Sequence, residues 1–505
     1  MTWRGLAIFA LILAFLQMGS LLSYASPDSG VIPAEEIASK VRAGQPVDYD
    51  NAIIVGFLNL SNLEKDVRLF RIRNSTFSEA ANFEDAVFKE TVDLAESTFR
   101  GNVSFGKARF MVDSNFSNAK LEGETDFHGA EFQDRANFIR SSILNDSSFD
   151  GVLFAQDANF AAALFNDTSF DNSVFEGDAI FIGSNFTGNA EFDFARFSRL
   201  ANFWNALFWK DVSFTNAKFE GPVIFKNADF KGSTSFAAAS FAEDVVFRSS
   251  KFRGNATFGL SDFGGFSDFA DVDFQGLASF IVTRFSDHAH FVGANFAKDL
   301  ILEGARIYSM QLDNASFAEG SKISLKDADF TRFAVHWDIV KDHLQFDGAA
   351  YLALVKNYKN LEWFDDADNT YYEYRRISME SKPWGWEKLI DIIAWLSSGY
   401  GVRVSYVVFW CIFTIAFFGI IFWAGNGMRR FEIVGLEIPG IDNIKNQRVS
   451  LTDAVYFSTA MFTTSQAPVN TYPVGFYRHL AMVEGIMGWF FLGLFVVVLS
   501  GLLIR

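Results

Sequence analysis

Residues 201–219 read ANFWNALFWKDVSFTNAKF, with phenylalanine at 203, 208, 214 and 219. The steps alternate between five and six residues, and the alternation continues outward through Phe197, Phe192, Phe186 and Phe181 on one side and Phe225, Phe230, Phe236 and Phe241 on the other. An 11-residue period thus holds from Phe77 to Phe317, and a period kept over so long a stretch is an architectural repeat. An amphipathic helix is excluded, because steps of five and six drift off a 3.6-residue stripe. Two residues before most rungs stands a small side chain, as at Ala201, Ala206, Ala217, Ala228 and Ser184, which leaves room for the neighbouring ring. Burial of one Phe is worth ~1.5–3 kcal/mol, and stacked rings add ~0.5–1.5 kcal/mol. The ladder therefore reads as structural core and not as a cofactor site.

The unit, small-x-Phe-x-x followed by small-x-Phe-x-x-x, resembles the pentapeptide-repeat family, whose motif is A-(D/N)-L-x-x with Leu or Phe central. Ala81-Asn82-Phe83, Ala136-Asn137-Phe138, Ala158-Asn159-Phe160, Ala201-Asn202-Phe203, Ala228-Asp229-Phe230 and Ala294-Asn295-Phe296 match it residue for residue. The resemblance implies a right-handed, quadrilateral β-helix, with the central residue and the small residue two before it pointing inward. If two 11-residue units close one coil, the ladder makes about 11 coils at the ~4.8 Å spacing of hydrogen-bonded strands, a rod of roughly 50 Å.

The whole chain of 505 residues has room for several domains, and its 43 Lys and Arg against 60 Asp and Glu leave a net charge of −17. That balance argues against a nucleic-acid partner, which rewards clustered cations. The one cysteine, Cys411, permits no intrachain disulfide. Carboxylates abound along the rod, yet none is marked as catalytic by a nearby histidine or a nucleophile elbow. His288 and His290 share one side of a strand but lack a third ligand for a metal. No enzyme activity, catalytic residue, cofactor or metal is expected.

Residues 1–25 read as a secretory signal peptide, with Arg4, the apolar run from Leu6 to Leu16 and the small residues Ser23 and Ala25, the alternative being an uncleaved anchor. Either form exports the rod, which removes a DNA-mimic role for an acidic solenoid and leaves room for an extracytoplasmic partner on it. Residues 26–50 read as an N-terminal cap, with a helix from Pro33 to Arg42 whose early Glu35 and Glu36 and late Lys40 and Arg42 suit the helix dipole. The repeat occupies 51–333. Helical periodicity replaces it over a linker at 334–400, where Asp365 is placed to cap a helix and the stretch from Trp384 to Trp395 reads as amphipathic and interface-seeking.

The remainder, 401–505, carries two apolar runs long enough to span a bilayer, Ser405 to Ala424 and Leu480 to Ile504, the second holding Glu484. Between them the segment 451–468 is apolar but too short to cross, which suits a re-entrant path. This region resembles the two-transmembrane pore domain of potassium-channel-like proteins. The matching residues are Asp453-Ala454-Val455-Tyr456-Phe457-Ser458 for a pore helix, Phe462-Thr463-Thr464 entering the filter, Tyr472-Pro473 after it, and Glu484-Gly485 with Gly488 in the inner helix. The family's T-V-G-Y-G filter is absent, and Ser465-Gln466-Ala467-Pro468 stands in its place, where Pro468 lacks both the N–H and the freedom of a filter glycine. The resemblance implies a homo-oligomer, four copies by analogy, in the membrane, with Thr463, Thr464, Ser465, Gln466, Ala467 and Pro468 at the constriction and potassium selectivity not carried over.

Topology and charge pull on this reading. A cleaved signal would put the rod outside and the pore loop in the cytoplasm, opposite to the family, and the loop's Arg429, Arg430, Lys445, Arg448 and Arg478 weigh the same way. Two functions stay open: a channel-like membrane protein with an exported rod, and a surface or scaffold protein whose helices only hold it in the membrane.

Overall fold

The computed structural model describes residues 30–63, 66–430, 449–469 and 471–503. The expected signal peptide and the loop cations Lys445 and Arg448 lie outside the described residues. The chain divides into two compact units, the first ending at Gln345 and the second beginning at Phe346.

The first unit is a parallel β-solenoid. One coil runs through the two-residue strands Thr76–Phe77, Ala81–Asn82, Val87–Phe88 and Val92–Asp93. Each pairs in parallel with the strand one coil on, Thr76 with Thr98, Ala81 with Val103, Val87 with Arg109 and Val92 with Ser114, so the coil has four sides and the pairing distance is 22 residues. The coil that starts at Ser147 is a residue shorter, Ser147 pairing with Thr168 and Leu153 with Val174. The cause is visible in the ladder, where Phe160, Phe165, Phe170 and Phe175 succeed one another by three steps of five.

The alternation of five and six has a backbone origin. In a five-residue step the corner closes on itself: the Ala206 N–H donates to the Phe203 carbonyl at 3.0 Å, with Asn205 left-handed at φ +56°. Such left-handed residues recur every 11 positions, at Asn205, Asn216 and Asn227, where an Asn side chain tolerates the conformation. The six-residue steps pass the other two corners without an internal hydrogen bond of this kind.

Inside, Phe192, Phe203, Phe214 and Phe225 are at most 1% exposed. Rings one coil apart stack, Phe214 on Phe236 at 4.9 Å with planes 1° apart, while rings of opposite faces meet edge to face, Phe203 and Phe214 at 5.5 Å and 83°. Phe203 and Phe214 therefore make both favourable aromatic geometries at once.

The solenoid is longer than the ladder. One face carries 14 strands and another 13, so the stack has about 14 turns where the phenylalanines alone gave about 11. Val31–Pro33 pairs with Ile53–Val55, and Val47–Asp50 with Phe70–Arg73, so residues assigned to the cap already form coil, with aliphatic side chains in place of Phe. The helix α1 (Ala34–Arg42) is inserted there, burying Ile37, Ala38 and Val41. At the far end the short helix α2 (Trp337–Val340) and the residues after it close the last coil, Gln345 N–H donating to the Ile323 carbonyl at 2.9 Å. Residues 334–345 thus belong to the solenoid and not to the linker.

The second unit is helical: α3 (Gly348–Asn360), α4 (Phe364–Ser381), α5 (Trp386–Ser398), α6 (Val404–Ala424), α7 (Leu451–Thr464) and α8 (Tyr477–Leu503). Asp347 caps α3 by accepting from the Ala350 N–H at 2.9 Å. Asp365 lies inside the first turn of α4 and not at its cap, which is Trp363. Among the described residues two helices, α6 and α8, are long and apolar enough to cross a membrane.

Candidate functional site: the helix trio and its turn

The apolar helices α6 and α8 are joined at one end by an antiparallel pair of short strands, Met428–Arg430 with Thr471–Pro473. Helix α7 starts beside that pair, where Ser450 caps it by accepting from the Asp453 N–H at 3.2 Å and Arg430 lies 3.7 Å from Asp453. It then packs between α6 and α8, burying Ala454, Phe457 and Phe462, and turns back at Ser465, left-handed at φ +54°. The path enters and leaves at the same end, as a re-entrant segment does.

Two residues on α8 make this path fit. A Cβ on Gly488 would lie 2.0 Å from the Phe462 carbonyl oxygen, so only glycine lets the end of α7 approach. Glu484 is fully buried against α7, its Oε1 hydrogen-bonded to Ser458 Oγ, and the Ser458 hydroxyl donates to the Ile415 carbonyl of α6 at 2.8 Å. One polar chain thereby ties all three helices, and Glu484 Oε2 has no hydrogen-bond partner among the described residues. Glu484 thus faces into the helix trio and is not exposed on the outer face of α8. Gly488 serves contact within the chain.

The constriction-like residues divide. Thr463 and Thr464 belong to the last turn of α7, and their hydroxyls donate back to the Thr459 and Ala460 carbonyls, each at 2.7 Å. Ser465 is fixed from outside the helix, its hydroxyl accepting from Trp489 Nε1 at 2.8 Å. Residues 463–467 are all exposed, Pro468 partly. Beside them a cleft of about 510 Å³ is lined by Met461, Ser465, Ala467, Arg478, Gly485 and Trp489.

At the other end of α6 a cluster of aromatic and charged groups holds the linker helices. Asp391 on α5 is buried between Arg375 Nη2 and Lys382 Nζ, each at 2.7 Å. The Lys382 ammonium, and then the Arg375 guanidinium, hold its carboxyl below the usual range. Trp395 Nε1 donates to the Tyr372 hydroxyl at 2.7 Å, and Trp410 Nε1 of α6 donates to the Leu396 carbonyl of α5 at the same distance.

On the solenoid, two carboxylates do pair with histidine, against the expectation from sequence. His128 Nδ1 lies 2.9 Å from Asp126, and His288 Nδ1 lies 2.6 Å from Asp287. Beside the first pair, the Ser104 hydroxyl donates to Asp126 at 3.2 Å and not to the imidazole. His290 stacks edge-on against Phe266 at 4.7 Å, and among the described residues no group of three or more His, Cys, Asp or Glu is arranged to hold a metal. Asp171 stands out electrostatically, burial pushing its carboxyl up to about 6.

Comparison with known proteins bears on the solenoid alone. The family model for pentapeptide repeats (9 copies) matches residues 72–120, 116–164 and 214–262. No curated protein and no solved structure matches the chain. With strand pairs at every matched segment and phenylalanine at the inward positions, the solenoid of this chain is built of pentapeptide repeats.

Proposed function

We propose that the chain is a non-enzymatic, channel-like membrane protein in which α6 and α8 span the bilayer, α7 is re-entrant, and the pentapeptide-repeat solenoid is an exported domain that meets an extracytoplasmic partner. The observation that carries this reading is the path of α7, wedged between two apolar helices and leaving by the side it entered. Non-helical backbone at membrane depth persists only where protein or water covers it. Residues 465–467 and Val469, exposed in a single chain, therefore call for further copies of the same chain around a hydrated space, four by resemblance, with Gln466 and Ala467 at its lining. Cation conduction through such a space would be weakly selective, because Pro468 and the missing glycines cannot present successive rings of carbonyls.

A second reading, an anchor without conduction, is favoured by one detail: the Thr463 and Thr464 hydroxyls are spent on their own helix. Mass measurement of the full chain in mild detergent, together with Ala467→Cys in a Cys411→Ser background treated in membranes with a charged thiol reagent, tests the proposal. A mass of four chains and rapid modification are expected. A monomer whose introduced thiol is inert would overturn it.

A further inference from the structure

Helix α5 presents an unpartnered apolar face. Trp386, Ile390 and Ile393 are 82%, 63% and 53% exposed, Leu389 and Leu396 lie on the same side, and Trp384 precedes them. The spacing 386, 389, 390, 393, 396 is that of one helical stripe. The opposite side is committed to the protein: Asp391 to Arg375 and Lys382, Trp395 to Tyr372, and Ser398 is buried. So the helix is held by its polar side and offers its oily one.

We infer that this face of α5 docks on the bilayer itself, the helix lying in the plane of the headgroup–acyl boundary. The inference rests on the membrane reading above and adds a surface to it. Three observations choose lipid over a protein partner. First, at 13 residues α5 is about 20 Å long, too short to span and suited to lie flat. Second, its apolar face is continuous with that of a span, since the left-handed Gly399 ends α5, α6 begins five residues later, and the Trp410–Leu396 hydrogen bond clamps the two together. Third, tryptophans at one end and a lysine, Lys388, held against the Glu380 and Lys382 carbonyls are the side chains that favour the headgroup layer. The ion triad gives the arrangement its sense: the buried Asp391 carboxylate is held by two cations on the protein side, which leaves a net charge of one there and puts none of the three groups on the apolar face.

The test uses the full chain with Cys411→Ser, reconstituted in phosphatidylcholine–phosphatidylglycerol vesicles. Single cysteines replace Ile390 or Ile393 on α5, Phe413 on α6, and Lys218 on the solenoid, each carrying an environment-sensitive fluorophore. Spin-labelled lipids bearing the quencher at a shallow or a deep acyl position report depth. Labels at 390 and 393 are expected to be quenched about twofold more by the shallow lipid, the label at 413 more by the deep one, and the label at 218 by neither. Quenching at 413 without quenching at 390 and 393 would overturn the inference while leaving the spans intact. No quenching at 413 would sink the membrane reading, and this inference with it.

Discussion

The solenoid and the helix trio hold themselves together in opposite ways. In the solenoid one contact is repeated: Phe192 on Phe214 at 4.7 Å, Phe214 on Phe236 at 4.9 Å, Phe236 on Phe258 at 5.1 Å, coil after coil. In the trio each contact occurs once, Gly488 against Phe462 and Glu484 against Ser458. Repetition makes a fold tolerant along its length, because each coil leans only on its neighbours. Single contacts make a geometry that fails as a whole.

The largest expected effect is in the solenoid core. Phe214→Ala empties a place filled by stacked and edge-on rings and should cost about 3–5 kcal/mol, read as loss of hydrogen-exchange protection in the flanking coils. Lys218→Ala, on an outward position, should stay within about 0.5 kcal/mol. Equal protection in both variants would break the inward assignment on which the comparison stands.

In the trio, Gly488→Ala should cost about 1–3 kcal/mol by overpacking and lower the melting point of the helical unit while the solenoid's transition stays put. Unchanged melting would mean that α7 is not seated on α8. A gain is expected at a solenoid corner: Val282 is β-branched yet left-handed at φ +55°, so Val282→Gly should stabilise by about 0.5–1 kcal/mol. Loss of stability there would show that the corner's side chain is needed by the fold.

The smallest effect is a pH slope. Asp171 binds its proton more tightly folded than unfolded, its carboxyl pushed up to about 6 by burial beside Asp193 and Glu191. Its contribution is therefore fully present below the unfolded value near about 4 and is lost as pH rises through about 6. Asp171→Asn should flatten that part of the stability–pH curve, and an unchanged slope would place its origin elsewhere.

The same contrast decides what could be read from the sequence. Phe203, Phe208 and Phe214 announce the inward face because they recur, and even the 21-residue coil is written in the three five-residue steps after Phe160. The turn at residues 31–50 was hidden because the helix α1 interrupts it and Val47, not a phenylalanine, fills it. Glu484 gave no sign of its burial: a lone carboxylate in an apolar run is compatible with a pore, an interface or a core, and only the position of Ser458 on another helix selects one. The strand pair of Met428–Arg430 with Thr471–Pro473 was likewise invisible, since neither three-residue segment carries a pattern of its own. Gly488 was placed in the inner helix by resemblance, but its partner, the Phe462 carbonyl, was not legible.

The most direct test of the channel-like account is the reversal potential of the reconstituted full chain, with potassium on one side of the bilayer and sodium on the other. The account expects a current that reverses close to zero and whose size changes on Gln466→Ala. A reversal potential near the potassium limit would contradict the reading of Ser465 to Pro468, and inserted protein that passes no current would leave α6 and α8 as an anchor for the solenoid.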